Sequence, residues 1–310
     1  MVDLKNASAL IKQQALSLGF FACGIAIADF LKDHEPRLKK WLHDERHGEM
    51  AYMANHFNKR LNPSKLMDGA RSVIVVLQNY YPEEPLPADA DYLISRYAYG
   101  TDYHFVIKEK LRKLQEFIQQ NISAHASRVF TDSAPVLERA WAVKAGLGWI
   151  GKNSMLITPR NGSYFFIGEI ITDLELAYDK PSGGDYCGDC TRCIDACPTQ
   201  AIGNDRMIDS RRCISYLTIE KKGELPVAFK GQYKQWIFGC DICQEVCPWN
   251  RFSVPHNEHA FKLVDNVREW EAKDWENLDK DGFNKTFRKS PLKRPKFEGI
   301  KRNIEFLKGK

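Results

Sequence analysis

Seven of the nine cysteines fall into two strings. Cys187, Cys190, Cys193 and Cys197 run CxxCxxCxxxCP into Pro198, and Cys240, Cys243 and Cys247 run CxxCxxxCP into Pro248. Tight turns let thiolates three residues apart reach three irons of one cubane, while the cysteine ahead of a proline ligates a second cluster. The second string lacks the first cysteine of this pattern, which would fall at Ile237, and Cys213 is the only spare thiol nearby. The count closes if Cys213 stands in. The spacing therefore assigns Cys187, Cys190, Cys193 and Cys247 to one [4Fe-4S] cluster, and Cys213, Cys240, Cys243 and Cys197 to the other.

Structural zinc favours two CxxC pairs separated by a longer loop, not three cysteines at successive three-residue steps followed by CP. Disulfides fit poorly, because no secretory signal is recognisable and eight of nine cysteines are engaged as ligands. The CxxxCxxC string of radical enzymes that use S-adenosylmethionine is absent. Cys23, in the apolar run from Gly19 to Ile27, is left over and reads as a core residue.

The paired strings have the spacing of a two-cluster ferredoxin, which needs far fewer than 310 residues. Helical periodicity appears from about Leu4 to Leu18 and from Phe105 to Gln120, and a last helix carries Ile300, Ile304 and Leu307 on one face. Buried strands are expected up to Ile27, over Ser72 to Leu77 and over Tyr164 to Ile171, with a loop from Tyr80 to Asp91. This alternation predicts an α/β or α+β main domain over 1–175, a ferredoxin-like module over 176–255 and a helical C-terminal extension over 256–310. The overall class is α+β.

The longest uncharged apolar stretch, around residues 19 to 28, is too short to cross a bilayer and has neither a cleavage site nor a twin-arginine leader. A cytoplasmic protein without membrane contact is expected. The net charge of +5 is unevenly placed. Acidic residues crowd from Asp265 to Asp281, whereas from Lys285 to Lys310 ten basic residues face two acidic ones. Such a tail suits a polyanion, and equally a solvated face of a terminal helix.

The densest signal outside the cysteines runs from Phe130 to Leu156. Asp132 or Ser133 reads as the cap of a helix whose first turn holds Pro135 and which Gly146 terminates, followed by a glycine-rich turn to Gly151. Taken alone, Asp132 is a cap before it is a catalyst. The turn lets backbone approach a large flat ligand, yet neither GxGxxG nor GxxxxGK[ST] is present, so a nucleotide cofactor is not indicated.

The segment Ile94-Ser-Arg-Tyr-Ala-Tyr-Gly-Thr-Asp-Tyr-His104, the Asp132 segment with Gly146-Leu-Gly-Trp-Ile-Gly-Lys-Asn153, and the two cluster strings together resemble the epoxyqueuosine reductases. The match covers nearly the whole chain. These enzymes complete queuosine at the wobble position of transfer RNA and are similar in their core to reductive dehalogenases. The resemblance implies a nitroreductase-like main domain and a cobalamin bound without its benzimidazole on the metal, with the two clusters delivering electrons singly. Cobalamin proteins that replace the benzimidazole by histidine use DxHxxG, and Asp102-Tyr-His104-Phe-Val-Ile107 lacks the glycine.

The resemblance makes Asp132 the proton donor to the leaving epoxide oxygen, a carboxylic acid whose pKa should be raised. Arg60, Ser95, Asn153, Ser215 and Asp241 match positions that face the corrin in the family, though a salt bridge or turn accounts for such residue types equally well. Ser95 falls where some members carry a cysteine. Lys221 and Lys222 are expected on anticodon-loop phosphates of queuosine-type transfer RNAs, with a solvated loop as the plainer reading. A monomer served by an external electron donor is implied. Many family members continue into helical repeats where this chain stops, so a reduced RNA surface is expected. Two rival classes are a reductive dehalogenase, expected to carry an export leader and an apolar pocket, and a ferredoxin-type carrier, which leaves the first 175 residues unexplained.

Overall fold

Asp3 opens the first helix by accepting hydrogen bonds from the amides of Lys5 and Asn6, and Ala7, Ile11 and Ala15 are its buried stripe. The computed structural model describes residues 3–264 and 266–308. Asp265 and Lys310, both counted in the charged stretches above, lie outside them. The helices in chain order are α1 Leu4–Ser17, α2 Glu35–His43, α3 Phe57–Leu61, α4 Tyr103–Asn121, α5 Glu138–Lys144, α6 Arg192–Asp195, α7 Ile214–Ile219, α8 Ile242–Glu245, α9 Ala272–Asn277, α10 Lys280–Thr286 and α11 Lys296–Lys308. The strands are β1 Ala22–Ile27, β2 Ser72–Asn79, β3 Leu93–Ile94, β4 Ser127–Phe130, β5 Trp149–Ile150, β6 Leu156–Ile157, β7 Phe165–Thr172 and β8 Trp236–Phe238.

Four strands form one sheet in the order β1-β2-β7-β4, and every pairing in it is antiparallel. That decides between the two classes left open by the alternation of helix and strand. The architecture is α+β, not a parallel sheet with crossover helices. Both central strands, β2 and β7, are buried along their whole length. Their side chains alternate between two cores. Val73, Val75, Leu77, Ile167 and Ile171 pack beneath α5 with Phe130 and Trp141, while Ile74, Val76, Phe166 and Ile170 meet α1 and α4 on the other face. Burying each such aliphatic side chain contributes about 1.5–3 kcal/mol, so the sheet is the rigid floor on which the loops stand.

The cysteine module joins this floor through the parallel pair of β3 and β8, with Leu93 opposite Trp236 and Ile94 opposite Phe238. Helix α11 is not a free tail. Its buried Asn303 donates from Nδ2 to the carbonyls of Thr218 and Ile237, each at 2.8 Å. Arg302 reaches the carbonyls of Lys221 at 2.6 Å and Gly223 at 2.9 Å. Part of the basic C-terminal charge is thus spent on the module itself. Among the described residues no helix is long and apolar enough to cross a membrane.

Candidate functional site

The two cysteine strings fold against each other, each containing a short helix, α6 or α8, ahead of its last cysteine. Cys187, Cys190, Cys193 and Cys247 line one cavity of about 260 Å³, with Lys152, Tyr186 and Trp249 at its edge. Cys247 therefore crosses from the second string to the first, as the spacing requires. On the other side Cys213 lies within electrostatic reach of Cys197, and Cys240 within reach of Cys243 and Cys213. Cys243 is also close enough to Cys193 for the latter's charge to disfavour its thiolate, which puts the two quartets near each other. Burial pushes the Cys193 thiol up to about 11 and raises those of Cys213, Cys240, Cys243 and Cys247. Such thiols ionise when a bound cation supplies the missing positive charge. Cavity, ligand type and electrostatics all fit iron–sulfur clusters. Cys23 stands apart, half-buried on β1, with its thiol pushed up to about 12 by burial.

Between β4 and α5 the chain departs from the expected helix cap. Helix α5 begins at Glu138, with Leu137 before it and no side-chain cap, so neither Asp132 nor Ser133 has that duty. Pro135 disfavours helical backbone at Ala134, which delays the helix. Gly146 does end it, in the left-handed conformation at φ 77°. Asp132 instead occupies a left-handed bend at φ 53°. Just before it, buried Thr131 donates from Oγ1 to the Ile167 carbonyl at 2.8 Å, tying the bend to β7.

The Asp132 carboxylate is 57% exposed and meets the first turn of α4. Tyr103 donates its hydroxyl to Asp132 Oδ2 at 2.7 Å, and His104 Nε2 lies 3.3 Å from the same oxygen. The opposite nitrogen, His104 Nδ1, is 2.6 Å from Asp102 Oδ1. Asp102 is also the N-cap of α4, accepting from the His104 amide at 2.9 Å, so one residue fixes both the helix start and the ring. Tyr103 is itself held by stacking on Phe166, with centroids 4.1 Å apart and planes at 10°.

These contacts set the proton inventory. Burial lowers the proton affinity of His104, but hydrogen bonds and charge from Asp102 and Asp132 outweigh it and carry the ring up to about 9. Burial pulls Asp132 the other way, upward, yet the donors His104 and Tyr103 leave its carboxyl below the ordinary value. The raised pKa expected for Asp132 is therefore not what the site produces. The acidic proton resides on His104 near neutral pH, one hydrogen bond away. Neither Tyr103 nor His104 was singled out in the sequence as a site residue. The signal available was the Asp-Tyr-His string at a helix start.

Of the other expected positions, Arg60 is linked to this region through Tyr52. It is only 7% exposed and donates from Nη2 to the Tyr52 carbonyl at 2.7 Å, while its buried Nε has no partner. Tyr52 in turn feels the charges of Asp132, Glu220 and Arg294, so these side chains share one region. Ser95 and Asp241 are brought together, but with each other. The Ser95 hydroxyl hydrogen-bonds to Asp241, which also accepts from the Arg96 amide at 2.9 Å and pairs with Arg96 Nη1 at 3.2 Å. Buried Asn153 donates to the Cys243 carbonyl at 3.2 Å and accepts from the Met155 amide, linking the glycine-rich turn to a cluster ligand. That turn serves the β5–β6 hairpin. A Cβ on Gly148 would lie 2.2 Å from the Ile157 carbonyl oxygen, so the glycine is required by the chain's own backbone. Ser215 is half-buried in α7 beside Cys213, and its carbonyl accepts from Thr218. Lys221 is paired with Glu49, which also accepts from the Lys222 amide at 2.8 Å.

Comparison with known proteins accounts for both halves of the site. A family model described as epoxyqueuosine reductase QueG, DUF1730, matches residues 60–133, and one described as a 4Fe-4S double cluster binding domain matches residues 186–250. The epoxyqueuosine reductase of Cellulophaga algicola is 56% identical over 301 residues, covering 97% of this chain and 98% of its own. The crystal structure of an epoxyqueuosine reductase with an epoxyqueuosine-modified tRNA-Tyr stem loop superposes with a TM-score of 0.90 at 28% identity, covering 97% of this chain and 80% of that one. The catabolic reductive dehalogenase NpRdhA, at 18% identity and a TM-score of 0.54 over 97% of this chain and 38% of its own, shares the fold.

Proposed function

The chain belongs to the epoxyqueuosine reductase family, and on that premise we propose that it reduces epoxyqueuosine to queuosine at the wobble position of transfer RNA, the last step of queuosine biosynthesis. The observation that carries the reading is the Asp102–His104–Asp132 chain, an acid site set into the same fold as a double-cluster module.

Opening the epoxide to an alkene takes two electrons and two protons and releases one oxygen as water. Cobalamin, when bound, would supply the strongly reducing centre for this, and the two clusters would relay electrons to it singly from an external donor. The residues fit such a group. Buried Arg60 offers an unpartnered Nε in the region of Asp132, and both nitrogens of His104 are engaged by carboxylates, leaving neither free to bind a metal. Arg60, Ser95, Asp132, Asn153, Ser215 and Asp241 are assigned to the corrin. Cys187, Cys190, Cys193 and Cys247 hold one cluster, and Cys197, Cys213, Cys240 and Cys243 the other.

The chain's own chemistry is proton delivery. His104 carries the proton at Nε2, Asp132 accepts it at Oδ2 and passes it to the leaving oxygen, and Asp102 holds the imidazolium in place. Tyr103 keeps Oδ2 turned toward the ring. Lys221 and Lys222 contact anticodon-loop phosphates, and the protein works in the cytoplasm as a monomer. Residues 1–175 form the catalytic domain, 176–255 the cluster module and 256–310 the extension that braces it.

The test is anaerobic turnover of transfer RNA carrying epoxyqueuosine by iron-reconstituted protein, with and without cobalamin, followed by nucleoside mass analysis. Cobalamin-dependent loss of one oxygen is expected. An unchanged nucleoside, with clusters and cobalamin bound, contradicts the reading.

A further inference from the structure

Two acids behind Asp132 have no part in the chemistry above. Glu138, the first residue of α5, accepts a hydrogen bond at Oε1 from the Asp132 amide. Glu169 lies in the middle of β7, fully buried, opposite Val75 on one side and Phe130 on the other. It shares its face with Ile167 and Ile171, so its carboxyl points into the apolar core between the sheet and α5. Neither of its oxygens has a hydrogen-bond partner. A carboxyl buried in this way costs several kcal/mol unless something offsets it. A leucine would pack there with no such cost.

The bend these acids support is strained. Asp132 holds φ at 53°, a region that is unfavourable for a non-glycine residue. Between Thr131, anchored on β7, and Glu138, anchored on α5, the chain forms no regular structure. The grip of Glu138 on the Asp132 amide is the contact that sets the bend, and with it the direction of the Asp132 carboxylate.

We propose that Glu138 is a positioning residue for this reaction, its carboxyl gripping the Asp132 amide and so fixing where Asp132 stands against His104, with the buried Glu169 carboxyl in the core behind it. The inference rests on the proposed function. An acid in the first turn of a helix also complements the helix dipole, and a purely structural role of that kind predicts no effect on His104.

The groups around Glu138 give the proposal a pH dependence. Asp132 on the loop, Tyr103 and His104 on α4, Arg139 on its own helix and Glu169 on β7 all act on it or on its partner. Burial first, and then the neighbouring Asp132 charge, push Glu138 up to about 8, and burial, then the Glu138 and Asp132 charges, hold Glu169 well above the ordinary carboxyl range. Above about 8 a second negative charge stands beside Asp132, and repulsion opposes the bend.

The experiment compares Glu138→Ala, Glu138→Gln and Glu169→Leu with the wild type, reading the His104 titration by NMR, turnover against pH, and melting temperature. Loss of the grip in Glu138→Ala should release Asp132, lower the His104 pKa from about 9 toward 6.5 and reduce kcat about hundredfold with KM little changed. Glu138→Gln retains a carbonyl acceptor. It should restore most of that loss and move the alkaline fall in turnover upward, since only the His104 ionisation then remains. Glu169→Leu should melt higher, because it replaces an unpaired buried acid, and leave the His104 titration near that of the wild type, since neither Glu169 oxygen bonds the Asp132 bend. A wild-type His104 titration in Glu138→Ala overturns the proposal. That readout needs neither transfer RNA nor cobalamin, so failure of wild-type turnover would bear on the proposed function alone.

Discussion

His104 Nε2 stands 3.3 Å from Asp132 Oδ2, while its other nitrogen is held 2.6 Å from Asp102. A ring placed between two carboxylates keeps its proton well past neutrality and hands it in one direction only, toward the carboxylate that faces the open region. The acid of this site is therefore a pair, and its behaviour with pH follows histidine.

Substitution of His104 separates the two members of that pair. His104→Gln retains a donor toward Asp132 but carries no transferable proton. Turnover is expected to fall by about 10²–10⁴, with cobalamin binding unchanged and the alkaline limb near 9 absent. Steady-state rates measured from about pH 6 to about pH 10 check it.

Stability should decline on the alkaline side. His104 has a folded pKa raised from 6.5 to about 9, so its contribution is fully present below 6.5 and is lost as pH rises through 9. Glu138, raised from 4.5 to about 8, is protonated in the folded protein where the unfolded chain would ionise, so it too costs stability as pH climbs from 4.5 through 8. The melting temperature is expected to fall between 6.5 and 9, and less steeply in His104→Gln. A flat melting temperature over that window would count against these charge assignments.

The proposed cluster ligation crosses the two strings, which iron analysis can detect. Cys247→Ser should remove the cluster of the first string, Cys187 to Cys193, although it lies in the second. Cys213→Ser should remove the other cluster. Each variant should retain about half the wild-type iron, with one set of cluster signals lost from the reduced-state electron paramagnetic resonance spectrum.

Helix α11 braces the module through Asn303, whose amide satisfies two buried carbonyls. Asn303→Ala leaves both unpaired and is expected to cost about 1–3 kcal/mol per group in unfolding free energy. Urea denaturation followed by cluster absorbance measures it.

Much of this was legible in the sequence where the governing interactions are local. Cysteine spacing is a property of tight turns, so the crossed assignment could be written before any coordinates. The helices from Leu4 and through Phe105 carry their burial periodicity in the chain itself, and the strands at Ser72 and Tyr164 show as continuous apolar runs. The antiparallel order of the sheet was not legible, because the pairing of β2 with β7 joins residues about ninety apart. Helix α5 was placed too early, since Asp132 and Pro135 are good cap and first-turn residues and only the tertiary bend assigns them otherwise. His104 and Asp132 meet across 28 residues of sequence, beyond the reach of any spacing rule. Glu169 did leave a mark, as a lone acid inside Phe165-Phe-Ile-Gly-Glu-Ile-Ile-Thr172, a strand with no other charge.

The central claim, that Asp132 delivers the proton to the leaving oxygen, is tested most directly by Asp132→Asn. Cobalamin-loaded, iron-replete wild type and variant would be given transfer RNA carrying epoxyqueuosine under strict anaerobiosis, and the nucleoside mass followed with time. The account predicts that the wild type removes one oxygen while the variant, with cobalamin and iron retained, leaves the nucleoside unchanged. Conversion by Asp132→Asn at the wild-type rate would contradict it.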